Sequence, residues 1–261
     1  MTKVKSFSHM IRKIETPYAS TTYYNFPGGG LYFESLQKTE KLTCMFDALP
    51  NFWSLAYALD LPEGRVFLVR HGQRIPVAGN VGLFIPPFSI LDWRLNIGLV
   101  EWKAVIQFSK APVLAPKHAT MFPLRYELPL TRSGINEEIF GLIKTGQRVD
   151  KEEKVIPLGL KAKQAIDLSF CDSVLMEDLC KDLGCAPSAM SRAFKTSYGI
   201  SPVAYRNQLR VYDASVKMLM GESVTKAALD VGFQDLSRFN KQFKIKMRAI
   251  PSQFKLGAAA R

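Results

Sequence analysis

The chain has 261 residues, of which 47% are hydrophobic and 11% aromatic, enough to bury one large core or two ordinary ones; this excludes a disordered chain. Its 35 Lys and Arg outnumber 23 Asp and Glu for a formal net charge of +12, which favours a polyanionic partner. Residues 1–150 hold 17 basic against 12 acidic side chains and residues 151–261 hold 18 against 11, so the excess forms no basic tail and any nucleic-acid site must be a folded surface.

In chain order, the N-terminus MTKVKSFSHMIRK has no apolar run of signal-peptide length behind it. Short apolar runs then recur at Val66–Val69, Val81–Ile85, Phe88–Leu91 and Leu99–Phe108. Turn signals at Pro62-Glu63-Gly64, His71-Gly72 and Ala78-Gly79-Asn80 separate them, and this spacing predicts short strands in a sandwich or barrel. Gly28-Gly29-Gly30 lacks the strand and helix context of a phosphate loop and reads as a turn. The most apolar stretch, Val81 to Trp93, is broken by Pro86 and Pro87, so no segment is long enough to span a bilayer. A cytoplasmic, nucleoid-associated protein without a membrane partner is expected.

Ile135, Ile139 and Ile143 recur every four residues and predict a helix, which would pack either on its own domain or on a second copy. The polar stretch 146–156 reads as a linker between a first domain, 1–145, and a second, 157–256, with a short tail at 257–261. In the second half, Leu158, Ala162, Ile166 and Phe170 form one helical stripe, and Leu175, Leu179 and Leu183 another. Tyr205, Leu209, Tyr212, Val216 and Leu219 form a third, on a helix running from Pro202, a good first-turn residue, to just before Gly221.

This half nearly repeats itself. At an offset of 49, Ser188 meets Ser237, Met190 meets Phe239, Arg192 meets Lys241, Phe194 meets Phe243, Lys195 meets Lys244, Pro202 meets Pro251 and Tyr205 meets Phe254. Just upstream the offset is 48, where Cys180 meets Ala228 and Gly184 meets Gly232. Each copy reads as helix, tight glycine turn, helix: the helix-turn-helix pattern.

In the second helix of the first copy, Ser188, Ser191, Arg192 and Lys195 share one face at i, i+3, i+4 and i+7. In the second copy Ser237, Asn240, Lys241 and Lys244 do the same. Both faces offer hydroxyl, amide and cationic donors and no carboxylate, which suits base edges and phosphates. Arg192 is the candidate for a bidentate contact to guanine and Asn240 for one to adenine, while Lys195 and Lys244 suit phosphate. The Pro202 helix would hold the two reading helices at a fixed separation, and B-DNA presents its major groove on one face about every 34 Å. A solvated basic face is the plainer reading of either copy alone.

From about Lys161 to Phe254 the chain resembles the AraC/XylS family of bacterial regulators. The resemblance rests on Val231-Gly232-Phe233, Asp235, Ser237, Phe239 and Phe243-Lys244, and on Met190-Ser191-Arg192-Ala193-Phe194-Lys195 followed by Gly199, Pro202 and Tyr205. It implies a seven-helix DNA-binding domain with two helix-turn-helix units, and base-reading roles for Ser188, Ser191, Arg192, Leu236, Ser237, Asn240 and Lys241. Where the family usually has glycine this chain has Arg248, a further candidate for phosphate. Ile250 replaces a small polar residue, and Leu175 and Ala186 stand where helix-capping Ser or Thr is usual.

Family members often sense a small molecule or dimerise through the other half. The strand-rich first half suits a cupin-like jelly roll, so the chain is expected to be α+β: a β-rich cupin-like domain followed by an all-α DNA-binding domain. Tyr24, Tyr32, Trp53, Trp93 and Trp102 are effector-binding candidates, against the plainer reading that aromatics simply pack a β core. The cysteines (Cys44, Cys171, Cys180 and Cys185) make no C-x-x-C pair, and His9, His71 and His118 lie far apart. No metal, cofactor or catalytic residue is therefore expected. Double-stranded DNA is the expected partner, with a small effector, RNA polymerase and a second copy of the chain as further candidates. The competing functions are an accessory DNA binder without an effector and a cupin-type enzyme with a helical appendage.

Overall fold

The computed structural model describes residues 10–109, 111, 113–125, 128, 130–131, 134–135, 138–150 and 155–255. They divide into two compact units, one of strands ending at Asp150 and one of helices. This is the α+β architecture read from the sequence. Linker residues 151–154 and the tail 257–261 lie outside the described residues.

Along its main path the β-rich unit is an antiparallel sheet. Its strands are β1 (Met10–Thr16), β2 (Ala19–Phe26), β3 (Gly30–Thr39), β4 (Thr43–Ala48), β5 (Trp53–Arg70), β6 (Gln73–Ile85), β7 (Ile90–Leu95), β8 (Gly98–Gln107), β9 (Thr120–Pro123), β10 (Leu130–Thr131), β11 (Gly134–Ile135) and β12 (Gln147–Arg148), with helix α1 (Glu138–Lys144) between the last two. The main sheet runs β1-β2-β3-β8-β5-β6-β9-β12, with β7 pairing both β4 and β5. Gly28 and Gly29, both at positive φ, make the β2–β3 turn, so this glycine run is a hairpin turn as read. His71 and Gly72 (φ 51 and 80) join β5 to β6 with both turn residues left-handed, the geometry that matches strand twist.

Two turn signals do not end strands as expected. Pro62-Glu63-Gly64 lies inside β5 and Ala78-Gly79-Asn80 inside β6, where pairing continues through register shifts around Leu61↔Gly79. Gly64 (φ 73), Gly79 (φ 68) and Asp60 (φ 50) supply the left-handed positions, so the strands bulge and bend instead of stopping. The Asn80 carboxamide accepts the Asp60 N–H at 2.8 Å and holds the bend. Across it β5 changes partner, from β8 at Trp53–Tyr57 to β7 at Val66–Leu68. A strand that turns such a corner folds one sheet over on itself, the cupin-like character expected of this half. The apolar run at Phe88 starts late: Phe88 sits in a turn at φ 61, and β7 begins at Ile90.

Inside the fold Trp53, Leu55, Phe84, Phe122, Tyr32 and Phe26 form a core that α1 closes with Ile139, Phe140 and Ile143. The helix read from the isoleucine spacing therefore packs on its own unit, and it starts later than expected because Ile135 pairs in β11. Residues 147–150 also belong to this unit and do not form a linker. Gln147 pairs with Met121, Val149 and Asp150 are buried, and the Asp150 carboxylate accepts the Ala119 N–H at 2.9 Å.

The helical unit contains α2 (Pro157–Ser169), α3 (Met176–Asp182), α4 (Pro187–Tyr198), α5 (Pro202–Leu219), α6 (Val224–Asp230), α7 (Leu236–Met247) and a closing 3-10 turn, Pro251–Gln253. Prolines open α2, α4, α5 and the 3-10 turn, at the first-turn position where a missing N–H costs nothing. The 18 residues of α5 span about 27 Å. Its stripe of Tyr205, Leu209, Val216 and Leu219 is buried, while Tyr212 is half-buried beneath the Lys246 ammonium at 5.0 Å. Lys163 of α2 is itself buried. It pairs with Asp167 at 2.8 Å, and Asp167 accepts the Tyr205 hydroxyl at 2.5 Å, tying α2 to α5.

Candidate nucleic-acid interface

The two helix-turn-helix units are α3 with α4, and α6 with α7. Their turns repeat bond for bond. Gly184 N–H donates to Lys181 O and Cys185 N–H to Cys180 O, at 3.0 and 2.9 Å; 48 residues on, Gly232 N–H donates to Leu229 O and Phe233 N–H to Ala228 O, at 2.9 and 3.0 Å. Both glycines are left-handed, which lets the chain reverse out of the first helix. Cys180 and Ala228 are buried at the helix crossing, where small side chains are needed.

The second helices bury matched faces. Met190, Ala193 and Phe194 point into the unit from α4, and Phe239 and Phe243 from α7. Phe194 stacks on Tyr205 at 5.4 Å, and Phe243 on Phe254 at 5.1 Å, so the offset of 49 survives in three dimensions. Each fully buried aromatic contributes about 1.5–3 kcal/mol. This fixes the rotation of both helices and hence which side chains face outward.

The sequence-derived candidates lie on those outward faces. Ser188, Arg192 and Lys195 of α4 are exposed and Ser191 is half-buried; on α7, Leu236, Ser237, Asn240, Lys241 and Lys244 are exposed. Neither helix contains a carboxylate. Asp235, at the start of α7, is committed to capping: its oxygens accept the N–H groups of Ser237 and Arg238 at 2.8 and 3.2 Å. Asn240, Lys241 and Lys244 also line a shallow cleft of about 480 Å³, closed by Val224, Ile250 and Pro251. Arg248 is exposed and ends α7 in the left-handed region (φ 52), which explains the family's usual glycine there.

Leu175 and Ala186, the residues at the family's capping positions, precede α3 and α4 without any side-chain cap bond. The sequence reading missed Arg206 and Arg210. Both are buried on α5, and Arg210 donates to the carbonyls of Phe170, Asp172 and Gly232, binding the turn of the second unit to the end of α2. Burial pulls its guanidinium down to about 10. Their i, i+4 spacing beside the apolar stripe was the available signal.

Of the effector candidates, Tyr32 and Trp53 share the β core, and Tyr24 packs against it with its ring 5.7 Å from Tyr32. Trp102 instead meets Phe33, which alternates to the other side of β3, and Trp93 lies on β7 outside that cluster. Among the described residues no three His, Cys, Asp or Glu side chains group as a metal site, and no helix is long and apolar enough to cross a membrane.

A β-rich unit joined to a unit with two helix-turn-helix motifs defines the class of two-domain helix-turn-helix proteins. A helix-turn-helix domain model matches residues 179–256. The chain is 23% identical over 221 residues to the virulence regulon transcriptional activator VirF of Yersinia enterocolitica, covering 76% of this chain and 82% of that protein. It is 34% identical over 67 residues to the HTH-type transcriptional regulator MtrA of Neisseria gonorrhoeae, covering 25% and 22%. Its fold is similar to that of ToxT from Vibrio cholerae, with a TM-score of 0.54 at 14% identity, over 87% of this chain and 99% of that one. Residues 179–256 thus carry a helix-turn-helix domain, and the chain is similar to bacterial transcription regulators over most of its length.

Proposed function

We propose that the protein binds double-stranded DNA sequence-specifically by placing α4 and α7 in successive major grooves on one side of the duplex. The observation that carries this reading is the duplicated face: exposed, carboxylate-free and held in the same rotation by matching aromatic anchors. Ser188, Ser191 and Arg192 read one groove, and Leu236, Ser237, Asn240 and Lys241 the other. Leu236, without a polar group, suits a thymine methyl. Lys195, Lys244 and Arg248 meet phosphate.

The test uses a duplex selected by the protein from a random pool. Arg192→Ala and Lys241→Ala should each weaken binding to it by about 1–3 kcal/mol. Lys244→Ala should lower affinity for all sequences and reduce the salt slope by about 0.9. Unchanged binding in all three variants would refute the groove-face assignment.

A second element is control by an apolar acid bound to the β-rich unit. It is supported by the clustering of Tyr24, Tyr32 and Trp53, and by solved forms of ToxT bound to an unsaturated fatty acid. Duplex affinity should change when a long-chain fatty acid is added to the wild type and stay constant in Tyr24→Ala. Constant affinity in both proteins would favour a DNA binder without this effector.

A further inference from the structure

A second concavity, of about 240 Å³, lies within the helical unit between the segment before α3, the middle of α5 and the start of α7. Val174, Arg206, Arg210, Gly232, Asp235 and Arg238 help to line it. Three guanidiniums thus meet one carboxylate, and that carboxylate already accepts two backbone N–H groups at the head of α7. Arg210 spends its donors on three carbonyls and is structural.

Arg206 is different. It is only 9% exposed, its Nη1 donates to Val174 O at 2.6 Å, and its Nε–H is buried without a hydrogen-bond partner. Native folds rarely leave a charged donor this way, because burial removes water and nothing replaces it. Burial, and secondarily the charge of Arg238, pull the Arg206 guanidinium below its ordinary value. A planar guanidinium with a free donor, beside a second cation, is the recognition chemistry of an oxyanion.

We propose that Arg206 and Arg238 form a seat for a phosphate group, filled in the complex by a backbone phosphate of the strand passing between the two grooves. The seat's rim places it there. Gln234 and Asp235 lie directly before Leu236 and Ser237 of α7, and Val174 and Leu175 directly before α3, so one phosphate would be held by both helix-turn-helix units. The inference rests on the DNA-binding reading above and adds a contact that neither outward face contains.

The experiment measures duplex affinity against salt for the wild type, Arg238→Ala, Arg206→Lys and Lys241→Ala. It adds duplexes carrying a single neutral methylphosphonate stepped through the stretch between the half-sites. Arg238 is exposed on its helix, so its removal leaves the fold intact, and Arg206→Lys keeps the charge while removing the Nε–H. Arg238→Ala should lose about five- to tenfold in affinity for all sequences, with a salt slope shallower by about 0.9. One methylphosphonate position should cost the wild type a similar factor and cost Arg238→Ala nothing.

If Lys241→Ala loses affinity while Arg238→Ala and Arg206→Lys keep wild-type affinity and slope, the seat is wrong and the groove reading stands. The seat is equally wrong if every methylphosphonate loss adds in full to that of Arg238→Ala. Tighter duplex binding on adding inorganic phosphate, seen in the wild type and not in Arg238→Ala, would assign the seat to a free ion and overturn the backbone assignment. If Lys241→Ala also binds normally, the DNA reading and the seat fall together.

Discussion

The two helix-turn-helix units share a sequence pattern and a hydrogen-bonded turn, yet they are stabilised in different ways. The second is held from within. Ser223 accepts the Lys226 N–H at the start of α6, and Asp235 caps α7 with both oxygens. Phe233, Phe239, Phe243 and Phe254 stack in an unbroken series at 5.1–5.4 Å. The first has neither cap, and its crossing is filled by the pliable sulfur contact between Cys180 and Met190 at 3.7 Å. Its support comes from α2: Gly159 lies so close to α4 that an added Cβ would sit 2.6 Å from the Ser197 hydroxyl, and that hydroxyl accepts the Ile156 N–H at 3.1 Å. A duplicated motif can thus keep its reading geometry while internal caps are exchanged for an outside buttress.

The sharpest way to break this comparison is to place the same methyl group in both turns. At Gly232 (φ +87) a Cβ would lie 2.3 Å from Cys171 O and 2.8 Å from Arg210 Nη2, whereas at Gly184 (φ +62) it would meet open space. Gly232→Ala should cost about 3 kcal/mol or more, combining backbone strain with overpacking. Gly184→Ala should cost about 1–2 kcal/mol from strain alone. Denaturant unfolding of the two variants measures the gap, and equal losses would remove the asymmetry.

Next in size are the caps. Asp235→Ala should destabilise the protein by about 1 kcal/mol, while Ala186→Ser should stabilise it by about 0.5–1 kcal/mol by supplying the cap that α4 lacks. A neutral result for Ala186→Ser would mean that the uncapped start of α4 costs the protein nothing, and would remove this part of the comparison. The smallest effect is dynamic: amide hydrogens at the start of α3 should exchange faster than those at the start of α6, because α3 begins without a cap bond while Ser223 caps α6, and an open helix end lowers the cost of local opening.

Much of this was legible in the sequence. The offset between Phe194 and Phe243, and between Tyr205 and Phe254, fixed both reading faces because large aromatics leave a short helix only one way to turn. The β-rich half was less legible. Gly64 and Gly79 look like strand ends, yet a bulge needs the same left-handed residue as a turn, and only the pairing of β5 with β6 distinguishes them. Residues 147–150 read as polar linker because the burial of Asp150 depends on the distant Ala119 N–H. Arg206 and Arg210 escaped notice for a related reason: an arginine beside an apolar stripe reads as surface until the carbonyls it must serve are located. Among the aromatics, Tyr24, Tyr32 and Trp53 were brought together and Trp93 and Trp102 were not, since strand alternation and pairing, absent from composition, decide which face each occupies.

The most direct measurement is the base preference of the wild type, Arg192→Ala and Lys241→Ala, each determined by selection from one random duplex pool. The account requires Arg192→Ala to relax specificity in one half-site and Lys241→Ala to relax it in the other, about 10–10.5 base pairs away, with the untouched half-site retained in each case. Relaxation of the same positions by both substitutions, or of none, would contradict it.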